Sequence, residues 1–197
     1  TAADFMADGL KASVSYSTDT GASNSATANA QSHYAIGATY VTTAGDTSVT
    51  IGAGYSTTDY ANTGTALTND ETGMHVGISA VTGDLTVAAG FADGDRVIGS
   101  TSNTEATANV IKAGAKYVSG DITFNVGIAS GEAQDGAAGG ALANNDSVDT
   151  TSASVSYAVA SGVTAILGYT SKDANNEGST SDTAVGSGWY LGATVSF

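Results

Sequence analysis

The sequence predicts an all-β fold, a transmembrane antiparallel up-and-down β-barrel, and three observations support this class. Apolar residues recur at every second position over ten segments, which is the periodicity of β-strands. Only 12% of the 197 residues are charged, and the chain contains no Pro and no Cys. So few charges exclude an ordinary water-facing surface, and the lack of Cys excludes disulfides and thiolate metal sites. The strands therefore carry a mostly uncharged surface or face a solvent other than water.

Each predicted strand has one apolar face, formed by every second residue. In chain order these faces lie at 10–16, 34–40, 49–55, 74–80, 85–91, 111–117, 122–128, 153–159, 163–169 and 189–197. The opposite faces consist mostly of Gly, Ser, Thr, Ala and Asn, and none of the ten segments contains Asp or Glu. Because small polar side chains suit a water-filled interior, the apolar faces are predicted to point outward into lipid.

The connections between the predicted strands alternate between tight turns and long polar loops. Turns are predicted at 42–46, 82–84, 119–121 and 160–162, and long loops at 18–31, 57–71, 92–107, 131–150 and 172–186. The last apolar residues before these turns, Val41, Val81, Val118 and Val159, are separated by 40, 37 and 41 residues. This near-constant spacing indicates a single array of hairpins over residues 1–197, without a linker.

Aromatic residues lie at the two ends of the apolar faces, and aliphatic residues lie between them. This arrangement is typical of strands that cross a bilayer, because aromatic rings settle at its two interfaces. The predicted girdle residues are Tyr16, Tyr34, Tyr40, Tyr55, Phe91, Tyr117, Tyr157, Tyr169, Trp189 and Phe197. Since every backbone group must be paired within lipid, the strands are expected to close into a barrel.

The final strand and two of the hairpins carry a family resemblance. Residues 188–197 form an alternating strand that ends on Phe, and the motif Val-x-Gly-Asp-(Leu/Ile)-Thr occurs at 81–86 and 118–123. With these features the chain resembles the C-terminal portion of a Gram-negative outer-membrane general porin of the alphaproteobacterial type. The resemblance implies a sixteen-stranded, water-filled barrel, a homotrimer in the outer membrane, and passive diffusion of ions and small hydrophilic solutes without catalysis.

The chain departs from that pattern in its strand number and its loops. Ten strands are predicted rather than sixteen, and no loop is recognisable as the long loop that folds into the pore. Residues 6–10 read as a further turn, so residues 1–5 are expected to end a preceding strand. We therefore expect the C-terminal ten strands of a longer barrel. The alternative is a complete ten-stranded barrel, because an even number lets the first and last strands pair antiparallel.

Three basic residues are the candidates for setting ion preference. Lys11, Lys112 and Lys116 alternate onto the polar face of their strands. The last two lie on one strand, about 13 Å apart at about 3.3 Å per residue. Charges on a channel wall determine which ions pass, so we predict that these lysines line the pore as a basic stripe. The alternative is that lysine merely tolerates a wet interior.

The acidic residues are concentrated in the predicted long loops. The chain has 19 Asp and Glu against 5 Lys and Arg, a net charge of −14, which disfavours nucleic-acid binding. Asp93 and Asp95 are candidate calcium ligands, because their Asp-Gly-Asp spacing lets two carboxylates converge around a glycine turn. No other cofactor is expected. The loops are also expected to contact membrane lipid and lipopolysaccharide through bridging cations.

Other folds and functions remain open from the sequence. A non-conducting barrel would act as an adhesin or a structural protein through its acidic loops, although small interior residues disfavour it. An enzyme is not expected, because His33 and His75 have no acidic or thiol partner at ligand spacing on their strands. A soluble β-sandwich or a β-solenoid would also produce alternation, with aromatic ends arising by chance.

Overall fold

The computed structural model is an antiparallel sheet of ten long strands and one short one. It describes residues 3–4, 8–18, 28–62, 70–98, 104–136, 142–176 and 184–196. The strands are β1 (Ala3–Asp4), β2 (Leu10–Thr18), β3 (Ala28–Ala44), β4 (Thr47–Asn62), β5 (Glu71–Thr82), β6 (Leu85–Ile98), β7 (Thr104–Ser119), β8 (Ile122–Gly136), β9 (Leu142–Ala160), β10 (Val163–Asn176) and β11 (Ala184–Val195). The ten predicted strands are confirmed as β2 to β11.

The order of the strands in the sheet is their order along the chain. Each strand therefore pairs only with its sequence neighbours, and this confirms the predicted up-and-down topology. Over the described ranges β1 and β11 are not paired with each other, so the sheet is open between them. The same ranges contain no helix long and apolar enough to cross a membrane.

Glycines with a positive φ close the short turns. Gly9, Gly45, Gly83, Gly120 and Gly162 have φ of 82°, 62°, 54°, 56° and 76°. A two-residue hairpin turn requires this left-handed backbone, which glycine adopts without a steric penalty. The four predicted hairpin turns and the predicted turn within residues 6–10 are therefore confirmed.

The apolar face of the sheet is its exposed face. In β8, for example, Phe124, Val126 and Ile128 are 47%, 57% and 60% exposed, whereas the residues that alternate with them are partly covered. Ala106 is the buried hydrophobic residue among those that the structure describes. A water-soluble protein places such side chains in a core, so this surface needs an apolar neighbour. We call the apolar side the outer face and the opposite side the inner face.

The strands continue beyond the predicted segments, which corrects the predicted loops. Loops were predicted to include residues 57–62, 92–98, 104–107, 131–136, 142–150 and 172–176, but all of these lie in strands. Hydrogen bonding between backbones does not require apolar side chains, so polar residues can extend the ladder. We call residues 92–98, 104–110, 130–136, 142–149 and 173–176 the loop-side extension.

The polarity of the two faces reverses in the loop-side extension. Asp93, Glu132 and Asp149 lie on its outer face, because they continue the alternation of the apolar residues on β6, β8 and β9. On its inner face the alternation places Val110 and Val148. These three acidic residues, which the sequence pattern assigns to loops, are therefore strand residues that point away from the interior, whereas Asp146 lies on the inner face.

Candidate functional site

The inner face of the sheet is a wide polar wall with few large side chains. A groove of about 840 Å³ runs along it across β2 to β6. Its inner-face lining includes Lys11, Ser13, Ser15, Gly37, Thr39, Thr50, Gly52, Gly54, Ser56, His75, Gly77 and Ser79. Residues this small leave the space above the sheet open to water, whereas a closed barrel without a lumen fills its interior with larger side chains.

Three of the four lysines in the sequence lie in one cross-strand row on this wall. The row runs through Lys11, Thr39, Gly52, Gly77, Gly90, Lys112, Ala129, Thr150, Lys172 and Gly186. The fourth lysine, Lys116, lies four residues from Lys112 on the same face of β7. The structure thus places all three predicted lysines on the inner face and adds Lys172, which the sequence pattern assigns to a loop.

The lysine row rises from the turn side of the sheet to its loop side. Lys11 is the second residue of β2, next to the turn, whereas Lys112 lies in the middle of β7. Lys172 lies near the loop-side end of β10. When strands tilt relative to a barrel axis, a row of paired residues perpendicular to the strands shifts along that axis from one strand to the next. The positive charges are therefore spread along the depth of the interior rather than gathered at one level.

The lysine charges are not neutralised by carboxylates within the described ranges. All four lysines are exposed, and no described residue forms an ion pair with them. Among the inner-face side chains that the structure describes, the four lysines outnumber the two carboxylates, Glu71 and Asp146, which both lie at the loop side. The wall itself is therefore positive.

The two histidines also lie on the inner face, on different strands. His33 Nδ1 is 3.0 Å from Thr58 Oγ1, and the ring of His75 lies over Gly54, where a Cβ atom would meet it. Among the described residues, no group of three or more His, Cys, Asp or Glu side chains could hold a metal ion. The histidine positions thus match the predicted polar face and bring no ligand partner to either ring.

The predicted girdle residues lie on the outer face in two groups. At the loop side, the rings of Tyr16 and Tyr34 are 4.8 Å apart and those of Tyr169 and Trp189 are 5.0 Å apart, measured between centroids. At the turn side, Tyr117 pairs across strands with Phe124, an aromatic residue that the sequence pattern leaves out of the girdle. Phe197 lies outside the described residues.

Asp93 and Asp95 lie in strand β6, not at a turn. Gly94 pairs with Gly73 in the ladder, so the predicted glycine turn between the two carboxylates is wrong. The carboxylate of Asp95 accepts hydrogen bonds from Thr72, at 2.7 Å from the amide N and 2.8 Å from Oγ1. Both aspartates point to the outer face, away from the lysine row, and calcium binding by them stays a prediction.

Comparison with known families identifies the family of this chain. The sequence profile of the Gram-negative porin family matches residues 3–197. The chain belongs to this porin family. Porins of this family lie in the outer membrane of Gram-negative bacteria, which confirms the predicted location. A comparison with curated protein sequences finds no match.

Solved structures share the fold of this porin chain at low sequence identity. A porin refined at 1.8 Å resolution matches with a TM-score of 0.62 and 21% identity, over 98% of this chain and 60% of that one. The loop L8 deletion mutant of OmpT, an outer membrane protein of Vibrio cholerae, matches with a TM-score of 0.59 and 17% identity, over 97% and 60%. The trimer form of in-vitro folded OmpT matches with a TM-score of 0.52 and 14% identity, over 95% and 62%. The porin chain thus spans about 60% of the length of these structures.

Proposed function

We propose that this protein forms a water-filled outer-membrane channel for the passive diffusion of ions and small hydrophilic solutes. The observation that supports the proposal best is the inner wall, which combines small polar residues with lysines that no described carboxylate neutralises. Such a wall is stable only in contact with water, because burying unpaired charges is costly. Diffusion needs no catalytic step and no cofactor, so the proposal includes neither.

The lysines of the inner wall are proposed to favour anions. A charge on the wall of a channel attracts ions of opposite sign and lowers their barrier to entry. Asp93, Glu132 and Asp149 point outward, where water and salt screen them from the lumen within about 10 Å at 0.1 M salt. Among the described inner-face side chains, the four lysines Lys11, Lys112, Lys116 and Lys172 outnumber the two carboxylates, Glu71 and Asp146, and are proposed to set the sign of the field inside the channel.

The proposed partners are two further subunits and the lipids around the barrel. A trimer form exists for the OmpT structure of Vibrio cholerae, and this supports a homotrimer here. Lipopolysaccharide and membrane lipid are proposed to contact the girdle and the outward acidic residues beyond it. Divalent cations such as calcium, bound by Asp93 and Asp95, would bridge the carboxylates to anionic headgroups.

The second candidate is a non-conducting barrel that acts as an adhesin or a structural protein. It is supported by the outward acidic residues of the loop-side extension, which present charge to the exterior. The open groove of about 840 Å³ along the inner wall favours the channel instead, since a structural barrel gains stability by filling its interior.

The experiment is planar-bilayer conductance of the native protein, recorded under a salt gradient. The expected result is large open steps that close in threes, with a reversal potential of the sign for anion preference. Replacing Lys112 and Lys116 by Gln is expected to lower the chloride-to-potassium permeability ratio several-fold, whereas the outward control Asp93→Asn leaves it unchanged. An unchanged ratio in the lysine variant would remove the proposed role of the stripe, and silence of inserted protein would favour the structural barrel.

A further inference from the structure

A tyrosine ring lies against the inner wall at strand β11. Tyr190 belongs to the inner face, because its neighbours Trp189 and Leu191 continue the outward apolar alternation. Its ring lies over Gly168, the cross-strand partner on β10, and the Cζ, hydroxyl and Cε1 atoms take the place that a Cβ atom at Gly168 would occupy. Gly168 is buried, whereas Tyr190 is 48% exposed. The side of the ring away from Gly168 therefore faces the interior.

The space beside the ring is open along β11. Gly188 and Gly192 precede and follow Tyr190 on the inner face, and a Cβ atom added at either glycine would have nothing within 4 Å. A solute in the interior can therefore reach the ring from the loop side and from the turn side. Aromatic surface in contact with water is stabilised when an apolar group covers it, so the exposed side of the ring favours a solute with an apolar face.

Hydroxyl groups occupy the wall on the other side of the ring. They belong to Thr170 on β10 and to Ser152, Ser154 and Ser156 on β9. Ser154 pairs with Gly168, so it lies one strand, about 4.8 Å, from the glycine under the ring. Its Oγ accepts a hydrogen bond from Asn125 Nδ2 at 3.3 Å, which leaves its own hydrogen for a solute. A hydroxyl both donates and accepts, so these groups suit a solute that carries hydroxyls.

This part of the wall is distant from the charged side chains of the described inner face. Lys116 lies three strands from Gly168 along one cross-strand row, about 14 Å at about 4.8 Å per strand. Lys172 lies four residues from Gly168 on β10, about 13 Å at about 3.3 Å per residue. Salt screens charges over about 10 Å at 0.1 M. The surroundings of Tyr190 therefore favour a neutral solute over an ion.

We infer that Tyr190 and the hydroxyls beside it form a binding site inside the channel for neutral monosaccharides in their ring form. This inference rests on the proposed function, because the sugar reaches the site through the channel. The face of an aromatic ring is electron-rich, so it attracts the C–H groups on one face of a sugar ring. The sugar hydroxyls exchange hydrogen bonds with Ser154 and Thr170. An acyclic polyol has similar hydroxyls without a rigid C–H face, so it binds more weakly.

The test compares glucose with sorbitol, an acyclic polyol of similar size, in planar-bilayer recordings of the native, full-length protein. Glucose is expected to reduce the ion current in a saturable way, whereas sorbitol reduces it only as far as it raises the viscosity. Tyr190→Leu removes the aromatic face and should raise the half-saturating glucose concentration about fivefold. Tyr190→Phe keeps the ring and should retain most of the affinity. The current of each variant without sugar reports that it has folded and inserted.

Matched glycine variants test the position of the ring. Gly188→Val fills the open space beside Tyr190 and should weaken glucose severalfold, whereas Gly186→Val, four residues from the ring on the same face, should leave the affinity close to that of the wild type. Gly168→Ala displaces the ring from the wall and should also weaken glucose. Equal effects of glucose and sorbitol, or an unchanged glucose affinity in Tyr190→Leu, would overturn the site while the ion current continues. A wild-type protein without ion current would instead refute the proposed channel.

Discussion

Side chains alternate between the inner and outer faces along the whole of strand β7, but the polarity of these faces differs between its turn-side part and its loop-side part. Toward the turn, Ile111 and Tyr117 point outward and Lys112 points inward. Toward the loops, Asn109 points outward and Val110 points inward. The ladder continues through both parts without a register shift. The change therefore concerns only the side chains, and it lies at the level of the lysine row.

Strand β8 repeats the comparison and shows its cause. Val126 points outward and Asn125 inward in the apolar band, whereas Glu132 points outward and Ala133 inward beyond it. The outer face carries apolar side chains in the apolar band, where it meets lipid. Beyond the band it carries polar side chains, where it meets water. Alternation alone thus identifies a strand, and the chemistry of each face identifies the solvent on that face.

The largest effect is expected from a charge placed in the apolar band. Val126 is 57% exposed on the outer face, and Arg on a lipid-facing site near the bilayer centre costs about 2–4 kcal/mol. Val126→Arg should therefore lower the free energy of unfolding by about that amount in a urea titration in phospholipid vesicles. Glu132→Arg on the outer face beyond the band and Asn125→Arg on the inner face should change it by less than about 0.5 kcal/mol. Equal losses at Val126 and Glu132 would remove the distinction between the two parts.

A smaller effect is expected at the boundary between the two parts. The rings of Trp189 and Tyr169 are 5.0 Å apart, and aromatic pairs of this kind also anchor strands at a lipid interface. Trp189→Ala should destabilise the protein by about 1–2 kcal/mol in the same urea titration. Trp189→Phe keeps an aromatic ring and should recover most of that loss. A Phe variant as unstable as the Ala variant would show that ring contact is not what Trp189 contributes.

In the loop-side extension, the expected effect comes from hydrogen bonds. Asp95 accepts two of them from Thr72, and its removal leaves both donors to water. Asp95→Ala should destabilise this part of the sheet by about 1 kcal/mol and accelerate amide exchange at Thr72, measured by hydrogen–deuterium exchange. Asp93→Ala changes the same charge two residues away and should leave the exchange rate of Thr72 close to that of the wild type. Similar acceleration in both variants would assign the effect to charge alone.

The smallest effect is expected from a like-charge pair, and its sign is opposite. Asp149 and Asp173 are direct cross-strand partners on the outer face of β9 and β10. Like charges directly opposite each other are destabilising, so Asp173→Asn should stabilise the protein by about a few tenths of a kcal/mol at low salt. The gain should disappear at high salt because the repulsion is screened. Ser171→Asn on the same face is the uncharged control, and a gain that salt does not change would exclude repulsion as its cause.

The fold and the inner wall were predictable because they depend on patterns that a single sequence contains. Alternation placed Lys112 and Lys116 on one face of β7, and the glycine turns at Gly83 and Gly120 determined where neighbouring strands meet. Those turns also set the register, because a hairpin with a two-residue turn pairs its strands in only one way. The register then brings distant lysines into one row.

The extent of the strands was not predictable from the same pattern. The loop-side extension alternates acidic and polar residues on one face with small residues on the other, and a search for apolar alternation assigns such segments to loops. Lys172 was missed for this reason, and so was the inward position of Val148. A search for alternation in residue size, applied to the segments next to each predicted strand, would have found both.

The strand order of this sheet has a consequence for how such proteins diversify. Every strand pairs only with its neighbours along the chain. Two strands and their turn therefore form a unit of about 40 residues whose own sequence determines how its two strands pair. Such a unit can be duplicated or deleted in a gene without changing the partners of the others. Since barrel diameter grows roughly linearly with strand number, the width of a channel built in this way is a trait that evolution can adjust in whole steps.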